Sequence, residues 1–188
     1  LEILMTSLVF HHDRLQRGFS IIEIMTTLAI SAVLLGVAFP NFAGLQEKQA
    51  FNTAHNDLAA AFHFARALAV TERQQTVVCP STDAQSCNSP AVWDRGWIVF
   101  VDRNRNKQRD AEEPLRRVEQ RDRKELGIRT SASRPLVVFR PNGGSGGANM
   151  SLRLCNDDGE PISALVLNNT GRLRKASSRE AAAMASCS

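Results

Sequence analysis

The chain has 188 residues, room for one globular domain and a helix but not for a second enzyme-sized unit. Its formal charge of +4 at pH 7 is a mild excess that assigns no partner unless the cations cluster on one surface. With 2 Trp and no Tyr, it is poorly supplied with exposed platforms on which bases would stack.

Residues 1–18 form a short leader with no net charge, because Glu2 and Asp13 offset Arg14 and Arg17. The start is left open between Met5 and an alternative initiation codon. From Ile21 to Phe39 the residues are almost all apolar, and as a helix this run spans a bilayer core, which takes about 20 residues at roughly 1.5 Å each. No small-x-small cleavage pattern follows the run, so it is not an ordinary secretory signal. Glu23 sits near its start, and a carboxylate at that depth costs about 2.5–3.5 kcal/mol on insertion scales and calls for a partner. Cutting after Gly18 frees the α-amino group of Phe19, which can neutralise Glu23 of a neighbouring subunit. An ordinary membrane anchor explains neither Gly18 nor the short leader.

At Gly18-Phe19-Ser20-Ile21-Ile22-Glu23 the chain resembles the type IV prepilin family. The resemblance implies removal of residues 1–18 by a prepilin peptidase at the inner membrane and methylation of Phe19. It also implies a docking role for Glu23 and a helix that loosens at Pro40 in filaments. The expected divisions are a transmembrane and assembly half-helix at 19–40, an amphipathic half-helix at 41–75 and an exported β-rich domain at 76–188.

After Pro40 the helical period resumes, with Phe51, Ala54, Leu58, Phe62, Ala65 and Ala69 on one stripe and Lys48, Asn52, Asn56 and Arg66 on other faces. The pattern ends near Glu72. His55 and His63 on this helix read as ordinary surface groups. Strands are expected at Thr76–Cys79, Gly96–Val101, Leu115–Glu119, Leu126–Arg129, Leu136–Arg140, Ser151–Cys155, Ala164–Leu167 and Arg172–Lys175, with the Gly-rich turn 141–147 among their separators. A helix followed by antiparallel strands gives the class α+β, here with the long helix of the type IV pilin fold packed on a sheet.

Four cysteines, Cys79, Cys87, Cys155 and Cys187, follow the apolar run, and an even number in an exported domain suggests disulfides. Of three possible pairings, loop closure and sequence order favour Cys79 with Cys87 and Cys155 with Cys187. A four-thiolate zinc site is disfavoured because no Cys-x2-Cys pair is present.

The segment from Trp93 through Gly96-Trp97 to Asp102-Arg-Asn104-Arg-Asn106, then Glu113-Pro114-Leu115, narrows the resemblance to the GspH and FimT branch of the pilins. Asp102, Asn104, Asn106, Asp110 and Glu113 stand at positions one, three, five, nine and twelve of an EF-hand-type calcium loop. Lys107 takes the place of the turn glycine, three arginines add positive charge, and no helices flank the loop. A hairpin loop whose Asn and Asp side chains bond their own backbone is therefore preferred to a calcium site.

Asn168-Asn-Thr-Gly171-Arg172-Leu173-Arg174-Lys175 reads as a turn entering a strand, with Arg172 and Arg174 on one face and Leu173 toward the core. Gly171 would let backbone and ligand approach closely, and Arg179 lies nearby. In FimT-like pilins a Gly-Arg-x-Arg motif is associated with DNA binding during natural transformation, and Gly171, Arg172 and Arg174 match it. Such contacts would go to phosphates, be indifferent to sequence and depend steeply on salt. The bland alternative is a solvated edge strand whose charges discourage aggregation.

Motifs for a zinc hydrolase, a phosphate-binding loop or a nucleophile elbow are absent, so neither an enzyme nor a cofactor is expected. The expected function is a minor type IV pilin that assembles with other pilins and binds DNA during uptake. The alternative is a structural minor pilin or type II secretion pseudopilin that primes filament assembly and touches no DNA.

Overall fold

The computed structural model describes residues 18–88, 91–121, 126–147 and 149–187, the side chains at 37–44, 46 and 47 excepted. Most of the leader, with its cleavage step, and the side chain of Pro40 lie outside the described residues. The helix α1 (Ile21–Thr71) runs unbroken in backbone through position 40. The chain divides into two compact units after Leu45.

In the first unit the described part of α1 exposes Ile21, Ile22, Met25, Leu28, Ile30, Val33 and Leu34, and Phe19 before it is 78% exposed. Its hydroxyls are satisfied within the helix: Thr26 donates to the Glu23 carbonyl at 3.0 Å, Thr27 to Ile24 at 2.9 Å and Ser31 to Thr27 at 2.7 Å. Among the described residues no helix is long and apolar enough to cross a membrane, and the expected span at 19–40 lies partly outside them.

The second unit is built on the rest of α1. Phe51, Ala54, Leu58, Phe62, Ala65 and Ala69, the stripe expected from the sequence, are all buried. Eight strands follow: β1 (Gln75–Pro80), β2 (Gly96–Asp102), β3 (Leu115–Gln120), β4 (Gly127–Arg129), β5 (Val137–Phe139), β6 (Met150–Cys155), β7 (Pro161–Leu167) and β8 (Leu173–Lys175). Instead of one sheet they make two, both antiparallel, in the orders β3-β2-β1-β5 and β4-β6-β7-β8.

Alternation sorts the first sheet into two faces. Val78, Trp97, Val99, Val137 and Phe139 join the α1 stripe, while Val77, Cys79, Ile98, Phe100 and Val138 form a second cluster with Cys87, Leu115 and Leu136. This is why every residue of β2 is buried. Phe62 of α1 meets Trp93 edge-on at 6.1 Å and Phe139 at 6.5 Å, tying the helix to the sheet. The second sheet contributes Ile128, Leu152, Leu154, Leu165 and Leu167 to the same core.

A short helix, α2 (Ser178–Ala182), follows β8, an element not among those expected from the sequence. Ser177 caps it by accepting from the Glu180 amide at 3.2 Å, and Ser177-x-x-Glu180 was the capping signal to look for. Ala164, Ala176 and Ala181, with Val166 and Met184, form its contact with β7. Cys79 is bonded to Cys87 and Cys155 to Cys187, the pairings the sequence order favoured.

Candidate nucleic-acid interface

The basic turn is held from three sides. Asn168 organises it: its side-chain oxygen accepts from the Arg172 amide at 2.8 Å and the Thr170 hydroxyl at 2.7 Å, and its carbonyl from the Gly171 amide at 3.0 Å. Arg66 of α1, half-buried, donates to the carbonyls of Gly171 at 3.0 Å and Thr170 at 3.3 Å. The Gly-rich turn closes the third side, the Ser145 amide donating to Asn169 at 3.0 Å.

Gly171 is buried with φ +79°, and a Cβ there would lie 2.2 Å from the Gly143 carbonyl oxygen. The room the missing side chain leaves is thus filled by protein backbone. Its freedom serves the packing of two turns rather than the approach of a ligand.

The strand begins at Leu173, one residue later than expected, so Arg172 stands in the turn. Pairing places Leu173 opposite Leu167, Arg174 opposite Val166 and Lys175 opposite Leu165. Leu165 and Leu167 belong to the α1-facing core and Leu173 packs against it, while Val166 packs with α2. Leu173 and Lys175 therefore share the α1 side, and Arg174 projects to the α2 side. There it meets Glu180 through two hydrogen bonds, at 2.8 and 2.6 Å. These bonds and the opposite charge hold the Glu180 carboxyl below its ordinary range and raise the Arg174 guanidinium further.

Of the anticipated cations, Arg172, Lys175 and Arg179 are exposed and, among the described residues, enter no salt bridge. Arg174 is exposed but already neutralised by Glu180. Sequence reasoning missed Glu180 as a competitor for Arg174, and it missed Arg66 as the support under the turn. A Glu six residues beyond Arg174 carries a usable signal only once α2 is recognised.

The second anticipated site, the loop 102–113, closes on itself. Asp102 accepts from the Lys107 amide, Asn104 from Asn106, Asn106 from Gln108, and the two Glu113 oxygens from Arg103 and Asp110. Asp110 accepts from the side chains of Asn104 and Asn106 at 2.6 and 3.0 Å. Arg105 and Lys107 take positive φ to make the bends. Most of the oxygens a cation would need are engaged by N–H donors, though Asp102 Oδ1 is buried without a hydrogen-bond partner. Among the described residues no group of carboxylates, histidines or cysteines is arranged for a metal.

A long helix whose second part is packed on antiparallel sheets is the type IV pilin fold. The chain is similar to crystal structures of the type IV minor pilin FimU of Pseudomonas aeruginosa PAO1. One crystal form gives a TM-score of 0.58 at 20% identity over 76% of this chain and 98% of that one. A second gives 0.52 at 18% identity over 73% and 99%. None of the curated proteins matches. Residues 54–171 match the family described as Type II transport protein GspH, and residues 13–39 the prokaryotic N-terminal methylation motif. The GspH match covers more than half of the chain, and the chain belongs to that family. It is a minor pilin or pseudopilin, a subunit that assembles with other pilins.

Proposed function

We propose that this pilin binds DNA through phosphates at the rim formed by the 168–172 turn, the end of β8 and α2. The observation that carries the reading is the exposure of Arg172, Lys175 and Arg179, three cations on adjacent segments with no carboxylate partner among the described residues. Arg174 and Gly171 complete the motif in a different way from that expected: Gly171 fixes the turn, and Arg174 becomes available only when phosphate displaces Glu180. Trp93 and Trp97 are fully buried, so bases find no indole surface and the contacts are ionic. With about three phosphates neutralised, the affinity falls with a log–log salt slope of roughly −2.7 on duplex DNA.

A mobility shift at low salt tests this. Arg172→Gln with Lys175→Gln lowers affinity for every duplex alike and flattens the salt slope by about two contacts. Glu180→Gln raises affinity, because it removes a competing carboxylate and frees Arg174. Equal binding by all three proteins would take the rim out of the interface.

In the same reading, cleavage after Gly18 frees the α-amine of Phe19 for a separate methyl transfer, and the apolar part of α1 rests in the inner membrane before Glu23 guides it into a filament. The globular domain is then periplasmic or extracellular. The structural-pilin reading draws on a specific observation too: Gly171 and Arg174 each have a complete role within the fold. A variant that still builds pili but no longer takes up DNA separates the two.

A further inference from the structure

A cavity of about 270 Å³ opens beside the proposed rim, between the second part of α1 and the ends of β7 and β8. Lys48, Phe51 and Asn52 line it from the helix, Ile162 and Ser163 from β7, and Lys175 from β8. Three features distinguish it. No acidic residue lines it, and among the described residues neither lysine enters a salt bridge. Ser163 is only 8% exposed, yet its hydroxyl has no hydrogen-bond partner. The wall between these polar groups is apolar, with Phe51 buried and Ile162 47% exposed.

Register explains the orphan hydroxyl. Leu167 and Leu165 of β7 face the α1 core, and Ser163 is the next residue on that side, where the apolar filling ends and the cavity begins. A Val or Leu there would continue the core, whereas an unsatisfied buried hydroxyl costs stability. A buried polar group without a partner calls for an explanation, and where it borders a cavity a ligand can supply that partner.

We infer that this cavity is a phosphate-ester site, in which Lys48 and Lys175 flank the phosphate, Ser163 and Asn52 donate hydrogen bonds, and Ile162 contacts the attached sugar. Two cations without a competing carboxylate select an anion, and a polar end beside an apolar wall selects an ester over inorganic phosphate. This deepens the DNA reading and rests on it for the source of the phosphate: Lys175 belongs to both places, so a strand crossing the rim reaches the cavity and brings α1 into the interface. His55, one turn along α1 from Asn52, reports on the site. Its imidazole is held below the ordinary value by burial and then by the charge of Lys175, against a hydrogen bond with Asn56.

The test uses the full-length protein in neutral detergent, with a 12-base-pair duplex, thymidine 5′-monophosphate and inorganic phosphate as probes. Lys48→Gln and Ser163→Ala each weaken the duplex and the nucleotide about three- to tenfold, the range for one hydrogen bond or ion pair at a half-open site. Ser163→Ala melts no lower than the wild type, because the hydroxyl it removes has no partner in the fold. Nucleotide binding raises the His55 titration point, since the anion offsets Lys175. Inorganic phosphate binds more weakly than the nucleotide.

If both variants bind duplex and nucleotide as the wild type does, the cavity is not a phosphate site, whatever Arg172→Gln does to DNA binding. If the nucleotide binds and responds to both variants while the wild type ignores duplex, the site stands for a free nucleotide and the DNA reading falls.

Discussion

Arg172 is positioned by a glycine whose open side meets protein backbone. Gly171 holds φ +79° with its open side against the Gly143 carbonyl, while Arg66 grips the carbonyls of Thr170 and Gly171 from below. An alanine at 171 meets the left-handed strain and the backbone clash together. Gly171→Ala is therefore expected to cost at least about 2 kcal/mol and to lower Tm measurably. Arg66→Met removes two charge-assisted hydrogen bonds and costs about 1–3 kcal/mol. In both variants the mobility shift weakens as well, because the turn that presents Arg172 is displaced. His55 gives a residue-level dependence on pH. Burial and Lys175 lower its folded pKa below the ordinary value of 6.5, so the unfolded chain binds more protons as pH falls through that value. Stability from this group is full above about pH 6.5 and declines as pH drops toward the folded value. Urea unfolding at pH 8 and pH 5.5 measures the decline, and His55→Gln reduces it.

At the scale of elements, the carboxyl end is a tethered unit rather than a tail. β8 pairs with β7, α2 packs its alanines on the other side of β7, and the Cys155–Cys187 bond joins the end of β6 to the chain after α2. Arg153 adds hydrogen bonds to the carbonyls of Ala185 and Ser186 at 2.7 and 3.0 Å. Replacing Cys155 and Cys187 by Ser releases a loop of 32 residues and costs about 2–4 kcal/mol in the chain-entropy account. Hydrogen exchange in α2 then quickens and DNA affinity falls, since a mobile segment must be ordered on binding. Unchanged affinity with faster exchange would leave the bridge a purely stabilising role. The elements that were legible in the sequence explain why this one was not. The α1 stripe from Phe51 to Ala69 and the run Gly96–Val101 announce themselves by period and by branched residues, because long buried elements must repeat their pattern. Five residues of α2 are too few to show a period, and its one local mark is Ser177-x-x-Glu180. Alternation gave Arg174 the side away from Leu173, but its partnering with Glu180 follows only from α2, and Arg172 precedes the strand and so escapes the alternation argument.

For the whole molecule, the two units pose separable demands on one chain. In the first, apolar side chains on every described turn of α1 are exposed while Thr26, Thr27 and Ser31 return their hydroxyls to helix carbonyls. A helix with no unsatisfied hydroxyl is suited to lipid or to neighbouring helices, and its one carboxylate, Glu23, is what remains to be compensated. The second unit carries the rim and the cavity on residues from Lys48 onward and needs no residue of the first. Glu23→Gln is therefore expected to leave DNA and nucleotide affinity unchanged while reducing incorporation into filaments, because the neutral amide attracts the Phe19 amine less than a carboxylate does. Immunoblots of sheared filaments, read beside mobility shifts of the same protein, measure both. Arg172→Gln with Lys175→Gln is the complementary case, with normal incorporation and weakened capture. If Glu23→Gln enters filaments at the normal level, the docking charge lies elsewhere. If the rim variant also fails to assemble, its cations serve subunit contacts and the structural-pilin reading is the better account of the chain.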